Sequence, residues 1–262
     1  MTDSYTLNSA GLPPVERALA IFAHPDDPEF FVGGTLALLA QQGVEVHVLI
    51  VTDGAKGSDD RTVSRDRLVT LRRDEQREAT RRLGGHQVHF LDFPDGELRH
   101  SHETVRAVVR QLRWLRPELV LSGDPQRFFY EGGFINHADH RAVGAITIDA
   151  VFPAARNFRY FPELLAEGLE PWYVRELWLA APFHANHEIA TDAVADVRLH
   201  AILAHQSQVG DGEQLRSWYE EQRSRGEPFV ERFHRVELGG PPHTASEEIH
   251  QLLEEEGEEE GH

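Results

Sequence analysis

The chain of 262 residues contains no cysteine. Disulfides, thiolate metal sites and a cysteine nucleophile are therefore excluded. No apolar run reaches the roughly eighteen residues that a membrane-spanning helix needs. The opening stretch, MTDSYTLNSAGLPPVERA, lacks a basic start and an apolar centre, so it does not read as a secretory signal and a cytoplasmic location is expected. Basic residues are scarce: 26 Lys and Arg stand against 44 Asp and Glu, for a net charge of −18. Nucleic acid recruits proteins through Lys and Arg stripes, so no nucleic-acid partner is expected. A glycine-rich G-x-G-x-x-G motif is also missing, which counts against a nucleotide-binding protein.

What is present is an ordinary globular composition, 40% hydrophobic and 27% charged. The acidity is partly local, with eight Glu and no Lys or Arg between Glu247 and Glu260. Such a run repels itself, and the chain reads as one domain over 1–244 followed by an acidic, disordered tail over 245–262. Strands are expected over 17–23 (RALAIFA), 44–52 (VEVHVLIVT), 86–91, 119–122 and 175–180. Helices are expected over 30–42, 68–83, 103–115, 140–151 and 194–206. The stretch 157–172, rich in aromatics and proline, reads as a loop with short helices. Strands alternating with helices of this length predict an α/β fold with a mostly parallel sheet.

Ligands of open parallel sheets sit beyond the carboxyl ends of the strands. His24-Pro25-Asp26-Asp27 follows the first strand, Thr52-Asp53-Gly54 the second, Asp92-Phe93-Pro94-Asp95-Gly96 the third, and the fourth leads into a loop reaching His137-Ala138-Asp139-His140. Carboxylates and imidazoles thus gather at one sheet edge. Two adjacent aspartates repel unless a cation or hydrogen bonds offset them. A divalent metal would do so, although an Asp at this point also serves as a helix N-cap. In the second motif one imidazole can complete a His/Asp/His metal site while the other stays free as acid or base. Two His and one carboxylate suit zinc, which activates water and polarises a carbonyl, and also suit Fe²⁺. Asp26 beside them supplies the base that hydrolysis requires. Gly33-Gly34 reads as close helix–sheet packing, His205 as a candidate at the pocket rim, and Phe128, Phe129, Tyr130, Trp172, Tyr173 and Trp178 as candidate sugar-stacking aromatics.

AHPDDPEFFVGGTLALLAQQG followed by a strand and TDGAKG, then LRRDEQREATRRLGG, FLDFPDGEL, NHADHRAVG and RLHAILAHQSQ, resembles the PIG-L / LmbE-like family of zinc-dependent N-acetylglucosaminyl deacetylases. The resemblance spans 18–208. It implies a Rossmann-like three-layer sandwich and removal of an N-acetyl group from an N-acetylglucosaminyl conjugate through a zinc-activated water. By motif match it assigns His24, Asp27 and His140 to zinc (or Fe²⁺), Asp26 to the general base, His137 to the second catalytic imidazole and Asp139 to orienting it. Arg72 and Asp95 become substrate contacts. It also implies a small amino-sugar conjugate as partner and association of copies of the chain. The chain departs from the family pattern at Ala138, commonly Pro. It departs again at Ile135, where some members place an oxyanion-binding Tyr; Tyr130 is the alternative candidate. Competing readings are an amidase of the same fold acting on a thiol-sugar conjugate, and a noncatalytic metal- or sugar-binding protein.

Overall fold

The computed structural model describes Asn8 and residues 10–130 and 132–239. The acidic run expected to form a tail lies outside the described residues. A seven-stranded sheet runs in the order β3-β2-β1-β4-β5-β7-β6, with β1 Arg17–Phe22, β2 Glu45–Thr52, β3 Gln87–Phe93, β4 Leu119–Gly123, β5 Glu176–Ala180, β6 His187–Ala190 and β7 Val230–Glu237. The first five strands are parallel, and β7 runs antiparallel to both β5 and β6. The expected mostly parallel α/β sheet is present.

Strands buried on both faces need apolar residues throughout, and β1 meets this with Ala18, Ala20 and Phe22 on one side and Leu19 and Ile21 on the other. The first set packs on Val32 and Leu36 of α1 (Asp27–Gln41), Ala79 of α2 (Arg65–Arg82) and Ala201 of α5 (Ala195–Ile202). The second packs on Val108 and Leu112 of α3 (His102–Leu115) and Ile146 of α4 (Ala138–Asp149). Helices on both faces of the sheet make three layers. Each fully buried Leu, Ile or Val contributes about 1.5–3 kcal/mol, so these two cores fix where the strand ends lie.

Several boundaries differ from expectation. Helix α1 begins at Asp27 rather than Phe30, because Pro28 suits a first helical turn. Helix α4 ends at Asp149 and passes into one wide turn, Ala150–Ala154, that contains Pro153. The helix expected over 194–206 breaks after Ile202 and resumes as α6 (Gln206–Val209), since His205 turns inward. Strands β6 and β7 and helix α7 (Glu213–Ser224) complete the last third. Gly33-Gly34 is a packing device, as expected: a Cβ on Gly34 would meet Thr191 Cβ at 2.6 Å, and the Gly34 and Thr35 amides donate to Glu231 at 2.8 Å each. Trp178 is a core residue, fully buried.

Candidate active site

The strand order reverses direction between β1 and β4, where open sheets form a crevice. The His24–Asp27 turn leaves β1 there, and His137–His140 reaches the same place from β4. Asp26 holds φ 104°, unusual for a residue with a side chain, and its side chain makes no capping bond to α1. The capping explanation of Asp26 is thereby removed, and its carboxylate is left for the site.

His24 Nδ1 lies 3.2 Å from His140 Nε2 and 3.4 Å from Asp27 Oδ2, while His140 Nε2 lies 3.0 Å from Asp27 Oδ1. The outer nitrogens are committed elsewhere. His24 Nε2 faces Asp95 Oδ1 at 3.2 Å and Asp139 Oδ2 at 3.4 Å, two acceptors, so it carries hydrogen. His140 Nδ1 is 3.0 Å from Asn136 Oδ1, and the Asn136 amide is oriented by its NH₂ donating to the Arg127 carbonyl at 2.8 Å. Both inner nitrogens therefore present lone pairs to each other and to a carboxylate. Three acceptors at 3.0–3.4 Å repel unless a cation lies among them. Metal bonds of about 2.0–2.2 Å place neighbouring donors at about this separation, so the residues fit a divalent metal. The outer partners supply the orientation that metal-ligating imidazoles need.

The electrostatics agree. Burial alone would lower the His24 imidazole, but the Asp27 charge and the hydrogen bonds to Asp139, Asp27 and Asp95 push it up to about 12. The cluster demands positive charge, carried by a proton or by a metal. Burial would raise Asp27, yet His140 and His24 hold it well below the usual carboxylate range. Asp26 goes the other way: burial and the Asp27 charge push it up to about 7, against Arg72. That places a carboxylate near neutrality, where a general base works best. His137 caps α4 by accepting the Asp139 N–H at its Nδ1, 3.1 Å away. Its Nε2 is then the protonated donor, and burial together with His24 and His140 lowers its pKa. Its ring is edge-on to His24 at 4.7 Å, and a nitrogen from each of His24, His137 and His140 lies within 4.8 Å of the other two.

Asp139, Asp95 and Arg72 make contacts other than those expected of them. The Asp139 carboxylate faces His24 and accepts the Gly96 N–H at 2.7 Å; only its backbone orients His137. Asp95 is buried against His24 and accepts the Lys56 N–H at 2.8 Å, and although burial would raise it, the His24 bond leaves it lowered to about 2. Arg72 is buried and donates to the carbonyls of Gly54 (2.8 Å) and Pro25 (2.7 Å), with Nη2 3.4 Å from Asp26. A Cβ on Gly57 would collide with this guanidinium, so the TDGAKG loop is built around it. Both side chains are buried within the site's own hydrogen bonds rather than open to solvent.

His205 is fully buried, not at a rim. Its Nε2 is 3.1 Å from Glu29, which accepts Gln76 Nε2–H at 2.9 Å, and Gln76 Oε1 accepts the Asp26 N–H at 2.8 Å. This chain of contacts, like Asn136, escapes a linear reading. The available signal is Glu29 on the apolar side of α1, since buried acids require partners. Tyr130 is half-buried with Arg127 over its ring at 5.0 Å, whereas Ile135 is exposed.

A mostly parallel α/β fold with a His/Asp cluster that calls for a cation, and a further carboxylate, Asp26, beside it, has the parts of a metal-assisted hydrolase. Comparison with known proteins makes this specific. A family profile described as "PIG-L: GlcNAc-PI de-N-acetylase" matches residues 19–151. Diacetylchitobiose deacetylase of Thermococcus kodakarensis is 35% identical over 195 residues, covering 74% of this chain and 70% of that protein. A 1D-myo-inositol 2-acetamido-2-deoxy-alpha-D-glucopyranoside deacetylase of Segniliparus rotundus is 34% identical, covering 62% of this chain and 56% of that protein. The structure of N,N'-diacetylchitobiose deacetylase from Pyrococcus horikoshii superposes with a TM-score of 0.77 at 28% identity, covering 88% of each chain. The chain belongs to the PIG-L family and is a deacetylase, an amide hydrolase. Among the described residues no helix is long and apolar enough to cross a membrane.

Proposed function

We propose that the chain removes the acetyl group from the amino sugar of a small N-acetylglucosaminyl conjugate, with zinc held by His24, Asp27 and His140. The observation that carries this reading is the triangle of facing acceptors at 3.0–3.4 Å with Asp26 and His137 beside it. A binding module needs the triangle but neither of the other two groups. Bound zinc supplies Lewis acidity toward water and the amide carbonyl.

The chain's own groups do the proton work. Asp26, poised near neutrality, takes the proton of the water that attacks the acetyl carbon. His137 Nε2–H donates to the carbonyl oxygen as negative charge gathers there. The C–N bond then breaks, and Asp26 returns its proton to the departing nitrogen, giving acetate and a free amine. Arg72 holds the Pro25 and Gly54 carbonyls and keeps Asp26 in place. The sugar as substrate class is supported by the activities of the relatives named above and by the exposed aromatic segment before the HADH motif, where Phe128 and Phe134 are 54% and 72% exposed. Aromatic faces of this kind offer an apolar platform to a sugar ring.

The test is primary-amine release from a panel of N-acetylglucosaminyl conjugates beginning with diacetylchitobiose, with His140→Ala as the control. Release by the wild type alone is expected, and the ranking across the panel identifies the conjugate. No release from any of them, by protein shown to hold metal, sends the reading to the thiol-sugar amidase or to the noncatalytic alternative.

A further inference from the structure

The opposite edge of the sheet carries a second gathering of imidazoles that the deacetylation chemistry does not use. Glu45 and His47 are two apart on β2 and so share a face. His86 stands immediately before β3, its N–H donating to the Val46 carbonyl at 2.7 Å. Arg17 of β1 occupies one oxygen of Glu45, with Nε and Nη2 at 3.0 and 2.8 Å from Oε2. The other oxygen, Oε1, faces His47 Nε2 at 3.1 Å and His86 Nε2 at 3.6 Å. A donor atom from each of the three residues lies within 4.8 Å of the other two. Behind them His89 Nε2 sits 3.1 Å from His47 Nδ1, and Trp114 of α3 braces His89 edge-on at 5.3 Å.

We propose that Glu45, His47 and His86 form a second metal site for a divalent transition ion of the zinc class. Two imidazoles and one carboxylate are a donor set for such ions and a poor one for Mg²⁺ or Ca²⁺, which take oxygen. The edges of 3.1 and 3.6 Å bracket the roughly 3.3 Å between neighbouring donors around a tetrahedral zinc ion. With its Nε2 on the ion, His47 would turn Nδ1–H toward His89 Nε2, 3.1 Å away, and that contact would hold the ring of the central ligand in place. His47 is buried and fixed, whereas His86 is exposed and can swing in to close the site, leaving the remaining positions to water. The ion would tie edge strand β3 to β2, so its binding energy adds to the stability of the fold.

Zn²⁺ titration of the metal-stripped full chain against a chromogenic chelator tests this. The wild type is expected to take up two equivalents, and His24→Ala and His86→Ala one each. In a His24→Ala background, Zn²⁺ should raise the thermal midpoint, Mg²⁺ should not, and adding His86→Ala or Glu45→Gln should abolish the rise. His86 is exposed, so its replacement does not threaten folding. Saturation of the wild type at one equivalent, or His86→Ala binding as much as the wild type, overturns the proposal. Either result would mean that His89, His47 and Glu45 are simply a hydrogen-bonded row.

Discussion

The two ends of the sheet carry the same side-chain type under opposite charge regimes. At the carboxyl end three imidazoles, His24, His137 and His140, meet four carboxylates, Asp26, Asp27, Asp95 and Asp139. At the amino end three imidazoles, His47, His86 and His89, meet one, Glu45, half of which Arg17 already occupies. His24 is pushed up to about 12 although burial opposes it, whereas burial, then His47 and His86, bring His89 down to about 4. Histidine's behaviour thus follows the local balance of carboxylate and burial. The carboxyl end calls for a cation at neutral pH, whereas at the amino end burial lowers His47 and His89, so that neither competes for a cation by taking up a proton. The proposed acid–base chemistry fits the first, where Asp26 is pushed up to about 7 and His137, accepting at Nδ1, carries its hydrogen on Nε2.

The contrast is broken most severely at Asp26. Asp26→Asn removes the proposed base without touching the acceptor triangle, so turnover should fall by about 10²–10⁴-fold while metal content is unchanged. A loss of less than about tenfold, with metal bound, would assign the base elsewhere. A smaller effect is expected from Arg72→Lys. Lysine keeps the charge but not the planar fork that spans the Pro25 and Gly54 carbonyls. The resulting shift of Asp26 should cost about 10–100-fold in kcat with KM little changed, since Arg72 is buried beneath the site. A rise in KM with kcat preserved would instead make Arg72 a sugar contact.

The first half of the site could be read in the sequence because His24, Asp26 and Asp27 directly follow a strand end and Asp95 lies two positions past another, and strand ends announce themselves through apolar runs that stop at Pro, Gly or Asp. The five parallel strands and the HPDD turn are legible for that reason, and the HADH motif through its own spacing and the family resemblance. Contacts set by packing were not. Asp139 next to His137 suggests a local pair, yet its carboxylate turns to His24 in another element. The periodic pattern of 194–206 continues through the break at His205, because the buried Glu29 that draws His205 inward is 176 positions away. Strand β7, VERFHRVE, spaces its apolar residues three apart rather than two and buries Glu231 beside Phe233, so it shows neither the alternation of a half-exposed strand nor the apolar run that betrayed the others. The amino-end cluster was invisible because Glu45 and His86 come together only through the β2–β3 register.

The smallest effect expected is also the sharpest separation of the two ends. Along β2, the eight residues from Glu45 to Thr52 span about 25 Å at roughly 3.3 Å each. Charges that far apart are screened at physiological salt, where the Debye length is about 8 Å. His86→Ala should therefore leave kcat and KM within about twofold, and the stability of the metal-free protein within about 0.5 kcal/mol, as for other exposed substitutions. Steady-state kinetics and urea unfolding of the stripped protein measure both. If His86→Ala instead lowered kcat by tenfold or more, the sheet would be transmitting a change from its amino end to Asp26. The obvious carrier would be β2 itself, which ends beside Asp53, whose Oδ1 accepts the Asp95 N–H at 3.2 Å.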